Sequence, residues 1–178
     1  MPDDKIVFNS RYRIERLLNS GGFGLVYLAK DINFGDLVVI KQSSFTYKRV
    51  RQEHRSWSDE KVHELVGKFQ KAFAHEAKLL RKLNHKALPR VIDYFYDGEG
   101  NQFFVMDYIE GQDLSEGLAE RKRLNQGPFP LKDVLNWADQ LLDALHYLHD
   151  IPIIHRDIKP SNLKLTPGGQ IVLLDFGL

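Results

Sequence analysis

Ile154-His155-Arg156-Asp157-Ile158-Lys159-Pro160-Ser161-Asn162, followed soon after by Asp175-Phe176-Gly177, is the stretch on which the fold turns. It strings together a carboxylate, a cation, an amide and a second carboxylate. Metal-assisted phosphoryl transfer needs hard oxygen ligands for Mg2+, a carboxylate to orient a hydroxyl, and a cation on the moving phosphoryl group. Asn162 and Asp175 are of the type that supplies the ligands, Asp157 the carboxylate and Lys159 the cation. Between the two segments, Leu163-Lys164-Leu165 and Ile171-Val172-Leu173-Leu174 flank Pro167-Gly168-Gly169, a pattern that predicts a hairpin. Closing that hairpin would set the two polar segments side by side.

Upstream, Leu131 to Asp150 carries Val134, Leu135, Ala138, Leu141, Leu142, Leu145 and Leu148 at helical spacing, which predicts an amphipathic helix. A second such pattern runs from Ser58, a candidate N-cap, to Asn84, through Val62, Leu65, Val66, Phe69, Ala72, Phe73, Ala77, Leu80 and Leu83. The first third alternates instead. Residues 12–18, 25–29 and 37–41 are rich in branched and aromatic side chains and are bounded by Gly and Asp turns, which predicts an antiparallel meander; two more strands follow near residues 90–96 and 102–107. The expected class is α+β. A β-rich part, residues 1–107, carries one long helix, and a helical part spans residues 108–178, with a hinge near residues 107–111.

Within the β-rich part, Asn19-Ser20-Gly21-Gly22-Phe23-Gly24-Leu25-Val26 joins two strands. Glycines let a backbone come close to phosphate oxygens and present N–H groups to them, although a glycine-rich hairpin on its own is more often just a tight turn. The strand–loop–strand setting differs from the dinucleotide fingerprint, which opens a helix, and the Gly-Lys-Ser/Thr ending of a P-loop is absent. Val38-Val39-Ile40-Lys41 ends an apolar strand on a lysine, and Glu76 falls on or beside the apolar stripe of the long helix, where an unpaired carboxylate is costly. A Lys41–Glu76 ion pair resolves both oddities.

Composition sets bounds. The 178 residues are 43% hydrophobic and include 11 Phe and 7 Tyr, enough for a packed core. The 25 basic and 24 acidic residues give a formal charge of +1, which argues against a broad nucleic-acid footprint. The basic runs at residues 48–51 and 121–123 read as solvated faces. There is no cysteine, so disulfides and thiolate metal sites are excluded. No apolar run approaches the ~20 residues of a membrane span and no signal-peptide core is visible, so the expectation is a soluble, cytoplasmic chain. His146 and His149 lie three apart on a helix without a third ligand and read as ordinary helix residues.

Taken in order over residues 12–178, these motifs resemble those of eukaryotic-type serine/threonine protein kinases, with a bacterial texture near residues 171–178. The resemblance implies a kinase fold, ATP and Mg2+ as cofactors, and a protein substrate bearing Ser or Thr. Asn19, Gly21, Gly22, Phe23, Gly24 and Val26 would form the loop over the nucleotide, and Val39 would line the adenine slot. Lys41 would hold the α- and β-phosphates, oriented by Glu76. Met106 resembles the gatekeeper, with the Asp107 carbonyl and Ile109 N–H as adenine contacts, and Asp113 resembles the ribose-binding acid. Asp157 is similar to the catalytic base and Lys159 to its phosphate-neutralising neighbour. Asn162 and Asp175 are similar to the magnesium ligands.

Four features depart from the family pattern. Asn19 stands where the first loop glycine is usual, and asparagine tolerates left-handed backbone angles better than most residues. Val39 replaces a small residue. Lys164 occupies a normally apolar position beneath the adenine and must point outward or weaken stacking. The connector from Lys41 to Glu76 is long and charged; it either extends the helix or forms a docking surface. The resemblance also implies an activation segment and further helices after Leu178, with which Arg156 and the Leu131–Asp150 helix would pair. A chain ending there is expected to expose that helix face to a partner or to a second copy. Two other readings stay open: a non-catalytic nucleotide-binding or regulatory module, and a small-molecule phosphotransferase.

Overall fold

Alternation in the first third of the chain becomes one antiparallel sheet. In the computed structural model, which describes residues 7–21, 24–43 and 45–175, the strands are β1 (Val7–Phe8), β2 (Tyr12–Gly21), β3 (Gly24–Asp31), β4 (Leu37–Ser43), β5 (Val91–Tyr96) and β6 (Gln102–Asp107). Their spatial order is β1-β2-β3-β4-β6-β5. The period of two divides the sheet into two faces. One face packs Tyr12, Ala29, Val38, Ile40, Phe95, Phe103 and Val105 into a core, with Phe8, Ile14 and Tyr27 against it. Its edge is fastened by polar groups: Arg11 donates from Nε and Nη2 to Asp31, and the Tyr12 hydroxyl donates to Asp93. The Arg11 guanidinium holds the buried Asp31 carboxyl below the usual carboxylate range.

The other face receives the long helix. Between β4 and that helix the connector folds into a short helix of its own, α1 (Tyr47–Glu53), capped by Thr46, before α2 (Asp59–Leu80), capped by Ser58. Both caps are hydroxyl side chains accepting a backbone N–H of the first turn, which satisfies donors the helix cannot. Val62, Val66, Phe73, Ala77 and Leu80 of the expected stripe are buried, Leu65 and Phe69 are half-buried, and Ala72 is exposed. The helix stops at Leu80 rather than near Asn84.

The chain divides into two compact units: residues up to Lys82 together with Arg90–Tyr108, and Leu83–Pro89 together with the residues from Ile109 on. The second unit contains β7 (Gln112–Asp113), α3 (Leu114–Arg123), α4 (Leu131–Asp150), a 3-10 turn (Pro160–Asn162), β8 (Leu163–Leu165) and β9 (Ile171–Leu173). The last two strands form the expected hairpin, and the small sheet runs β7-β8-β9. The segment Leu83–Pro89 is tied to this unit by Leu173 N–H donating to Ala87 O and by Asn84 N–H donating to the Tyr147 hydroxyl. Gly111 has a φ of +126°, and a Cβ there would stand 2.0 Å from Leu165 O, so the close approach of the chain to β8 requires glycine.

On α4 only Ala144 and Leu148 are buried. Leu141 and Leu145 are half-buried, whereas Val134, Leu135, Ala138 and Leu142 are exposed. Helical periodicity identified the apolar residues but not which of them are covered. Arg121, expected in a solvated run, instead donates to the carbonyls of Gln126, Gly127 and Pro128 and lies over the Phe129 ring. Five donors in a planar fork suit a guanidinium to gathering several carbonyls at once. Among the described residues, no helix is long and apolar enough to cross a membrane.

Candidate active site

In the first unit, register aligns the candidate residues. Asn19 pairs with Val26, Val26 with Lys41, and Lys41 with Phe104 in one row; Val39 pairs with Met106 in the next row of the same face. Asn19 lies in extended β2 beside a register shift between Leu17 and Asn19. Its φ is not positive, so the left-handed tolerance expected of it is not used. The positive φ falls on Gly24, at +132°, which pairs with Gly21 as the strands close. Gly22 and Phe23 lie outside the described residues.

Lys41 Nζ stands 3.3 Å from Glu76 Oε1, with both side chains buried, and 5.5 Å from the centre of the Phe104 ring. Burying two charges is tolerable here because each is paired with the other. At the end of β6, Asp107 is held by Arg90, whose N–H and Nε donate to Oδ2 and whose Nη2 donates to Oδ1, while Asp107 N–H donates back to Arg90 O. Arg90 thus fixes the backbone that carries Met106 and Asp107. Sequence reading did not single it out, because an arginine at the start of a strand has no local signature. Ile109, in the second unit, is half-buried.

In the second unit the hairpin does what the spacing promised. Leu174 N–H donates to Asn162 O at 2.7 Å, so Asp175 emerges beside the 3-10 turn. Asp157 Oδ2 accepts from Lys159 Nζ at 2.7 Å and from Asn162 Nδ2 at 2.9 Å, and Asn162 Nδ2 also donates to Asp157 O. The Lys159 hydrogen bond, helped by that of Asn162, holds the Asp157 carboxyl below the usual carboxylate range against partial desolvation. Asn162 is buried, and with its nitrogen committed to Asp157, its Oδ1 is the atom left for a hard cation. Arg156 and Asp175 have φ of 67° and 51°. Non-glycine residues in this region carry strain of roughly 1–3 kcal/mol each and gather at functional sites.

His155 is buried beneath this loop. Its Nε2 contacts Leu174 O at 3.1 Å, and its Nδ1 faces Asp157 N–H, an arrangement the neutral ring with a proton on Nε2 satisfies at both ends. Burial pushes the imidazole below its ordinary value. Asp113 caps α3: its Oδ1 accepts from Glu116 N–H and from the Ser115 hydroxyl, and Glu116 returns a bond to Asp113 N–H. Lys164 is half-buried on β8 as the register partner of Asp113. Gln140 of α4 was also missed from sequence; its Oε1 accepts Ile171 N–H at 2.9 Å and thereby anchors β9. His146 pairs with Asp150 on the exposed side of α4.

The sequence and the fold both match those of known proteins. A family model described as the protein kinase domain matches residues 12–178. The chain is 35% identical over 173 residues to the probable serine/threonine-protein kinase YbdM of Bacillus subtilis, covering 97% of this chain and 59% of that protein. It is 34% identical over 178 residues to the serine/threonine-protein kinase pkn2 of Myxococcus xanthus, covering 98% of this chain and 19% of the relative. Among solved structures, the kinase domain of PknI from M. tuberculosis superposes with a TM-score of 0.71 at 25% identity, covering 99% of this chain and 62% of that one. The apo form of PpkA-294 superposes with a TM-score of 0.77 at 21% identity, over 99% and 62%, a likeness of fold. The chain therefore spans about three-fifths or less of the proteins it matches.

Proposed function

The chain belongs to the protein kinase family, and on that premise we propose that the protein containing it transfers the γ-phosphoryl group of ATP to Ser or Thr hydroxyls of proteins. The observation that carries the proposal is the hydrogen-bonded set Asp157–Lys159–Asn162, joined through the backbone to the residue before Asp175.

In this reading Lys41, oriented by Glu76, binds the α- and β-phosphates. Val39 and Met106 flank the adenine, the Asp107 carbonyl and Ile109 N–H hydrogen-bond its edge, and Asp113 binds the ribose. The ends of β2 and β3, with Asn19, Gly21, Gly24 and Val26, cover the phosphates. Asp157 is ionised at neutral pH and accepts a hydrogen bond from the attacking hydroxyl. A carboxylate held this low is a weak base, so its main work is orientation, with the proton accepted late as the bond to phosphorus forms and the bridging P–O bond breaks. Lys159 meets the charge on the moving group. Asn162 Oδ1 and Asp175 are hard oxygen donors of the type Mg2+ takes, and they would hold it; when bound, the ion neutralises phosphate oxygens.

Lys159, two residues after Asp157, supports protein Ser/Thr as the substrate class over a small-molecule acceptor. We extend the proposal to the open side of α4, where Leu131, Leu135 and Leu142 are exposed, as a face that further protein covers, whether a later part of a longer chain, a partner or a second copy; sedimentation of the chain with and without Leu135→Glu tests that part. The main test is transfer of labelled phosphate from ATP to a generic Ser/Thr substrate by the full-length protein. Wild type is expected to turn over, and Asp157→Asn and Lys41→Met are expected to reduce the rate to background. Absence of turnover alongside intact Mg2+-dependent ATP binding would favour the non-catalytic module instead.

A further inference from the structure

The connector between β4 and α2 has no part in the chemistry above, and most of it is exposed, yet it carries a small apolar cluster of its own. Val50 of α1 is buried with Val62 and Val66 of α2, and Phe45, Trp57 and Leu65 close around them. Arg51 donates to the carbonyls of Arg55 and Trp57 and pairs with Asp59, tying the turn between the two helices to the start of α2. A seven-residue helix has too few internal bonds to persist alone, so its order comes from this packing. Such packing acts equally on α2.

The contact that reaches the site is Phe45. It follows β4 closely, its N–H donating to the Ser43 hydroxyl at 3.4 Å, and its ring stacks on Phe69 of α2 with centroids 3.6 Å apart and planes 4° from parallel. Phe69, Phe73 and Glu76 follow one another at helical spacing along a single side of α2. Phe73 lies 5.0 Å from the ring of Phe104, which is the register partner of Lys41 and carries the Lys41 ammonium over its face. A row of rings therefore leads from the connector to the ion pair: Phe45 on Phe69, Phe73 on Phe104, Lys41 over Phe104 and beside Glu76. Sliding or rolling α2 by one residue would break the row at every step.

We propose that Phe45 is a positioning residue, which sets the axial placement of α2 and so holds Glu76 in register with Lys41. This rests on the kinase reading only for its catalytic consequence. The connector is then a built-in brace, where a surface helix on an unbraced sheet would be free to drift. In the full-length protein, Phe45→Ala is expected to lower kcat/KM for ATP about fivefold to tenfold, the worth of one aromatic stack, and Phe45→Tyr to restore it. Phe45→Leu keeps apolar volume without the stack and serves where the alanine variant does not fold.

A merely structural role is separated by a cycle with Glu76→Gln. If Phe45 acts through Glu76, its loss changes little once Glu76 is gone; an equal loss in both backgrounds overturns the proposal. Hydrogen exchange decides independently of turnover. Amides of residues 70–80 should exchange about tenfold faster in Phe45→Ala while those of β6 do not change, as expected of local opening. Unchanged exchange in α2 overturns the brace. If Lys41→Met and Glu76→Gln both leave phosphoryl transfer intact, the kinase reading has failed while the exchange result still decides the role of Phe45.

Discussion

Lys41 Nζ and Glu76 Oε1, 35 residues apart in sequence, form a buried ion pair between β4 and α2. Breaking such a pair by removing one partner leaves an uncompensated charge, whereas replacing both by apolar groups removes the need for either. Glu76→Met should therefore cost about 3 kcal/mol in urea unfolding, and the double variant Lys41→Met/Glu76→Met should recover most of it. Phosphoryl transfer should fall sharply but stay measurable in Glu76→Met, and fall to background in the double variant, which also lacks the Lys41 ammonium. A double variant no more stable than Glu76→Met would mean that the pair is solvated and contributes little to the fold.

The pair was legible in sequence because each member is out of place locally: a lysine ending an apolar strand, and a carboxylate on a hydrophobic stripe. The loop at Asp157 and the hairpin leading to Asp175 were legible for a similar reason, since their chemistry and their turn lie within one short span. What stayed hidden depends on distant partners. α1 holds a single buried residue, Val50, in a run of charges, and no helical stripe reveals it. Arg90 and Gln140 act by satisfying groups brought close only by the fold. On α4, periodicity marks which residues are apolar but not which side is covered, so Leu148 is buried while Leu142 is exposed.

Lys164 offers a test at the nucleotide. Paired in register with Asp113 and half-buried on β8, it stands where the family resemblance places an apolar residue under the adenine. Lys164→Leu should tighten ATP binding several-fold, since a newly buried methylene is worth ~0.8 kcal/mol at most. Titration with a fluorescent adenine nucleotide measures this. An unchanged affinity would show that the Lys164 stem already serves as the apolar floor with its ammonium turned to solvent.

Asn19 calls for a different expectation from that of a loop glycine. It sits in an extended strand opposite Val26, beside a register shift, so glycine there gains no needed conformation and loses strand order. Asn19→Gly should destabilise the protein by about 0.5–1 kcal/mol, from backbone entropy alone. The accompanying change in ATP affinity should be less than about fivefold on the same energy scale. A large loss of affinity at unchanged stability would assign the amide side chain a direct contact with the nucleotide.

His155 should contribute to the acid side of stability. It is buried and neutral, its Nε2 proton directed to Leu174 O and its Nδ1 facing Asp157 N–H, and burial depresses its folded-state value below the 6.5 of the free side chain. The unfolded chain therefore binds this proton more readily than the folded one. The contribution is fully present above pH 6.5 and is lost as pH falls from there through the depressed folded value. Protonation at Nδ1 also turns an acceptor into a donor opposite the Asp157 N–H, so the loop carrying Asp157 should loosen before the molecule unfolds. Urea unfolding at pH 7.5, 6.5 and 5.5 should show midpoints that fall with acid, and His155→Phe, lacking the titration, should lose this part of the slope while being less stable at pH 7.5. Exchange at the Asp157 amide should rise over the same interval. An equal acid slope in the wild type and the variant would move the titrating group elsewhere and leave His155 as a packing residue alone.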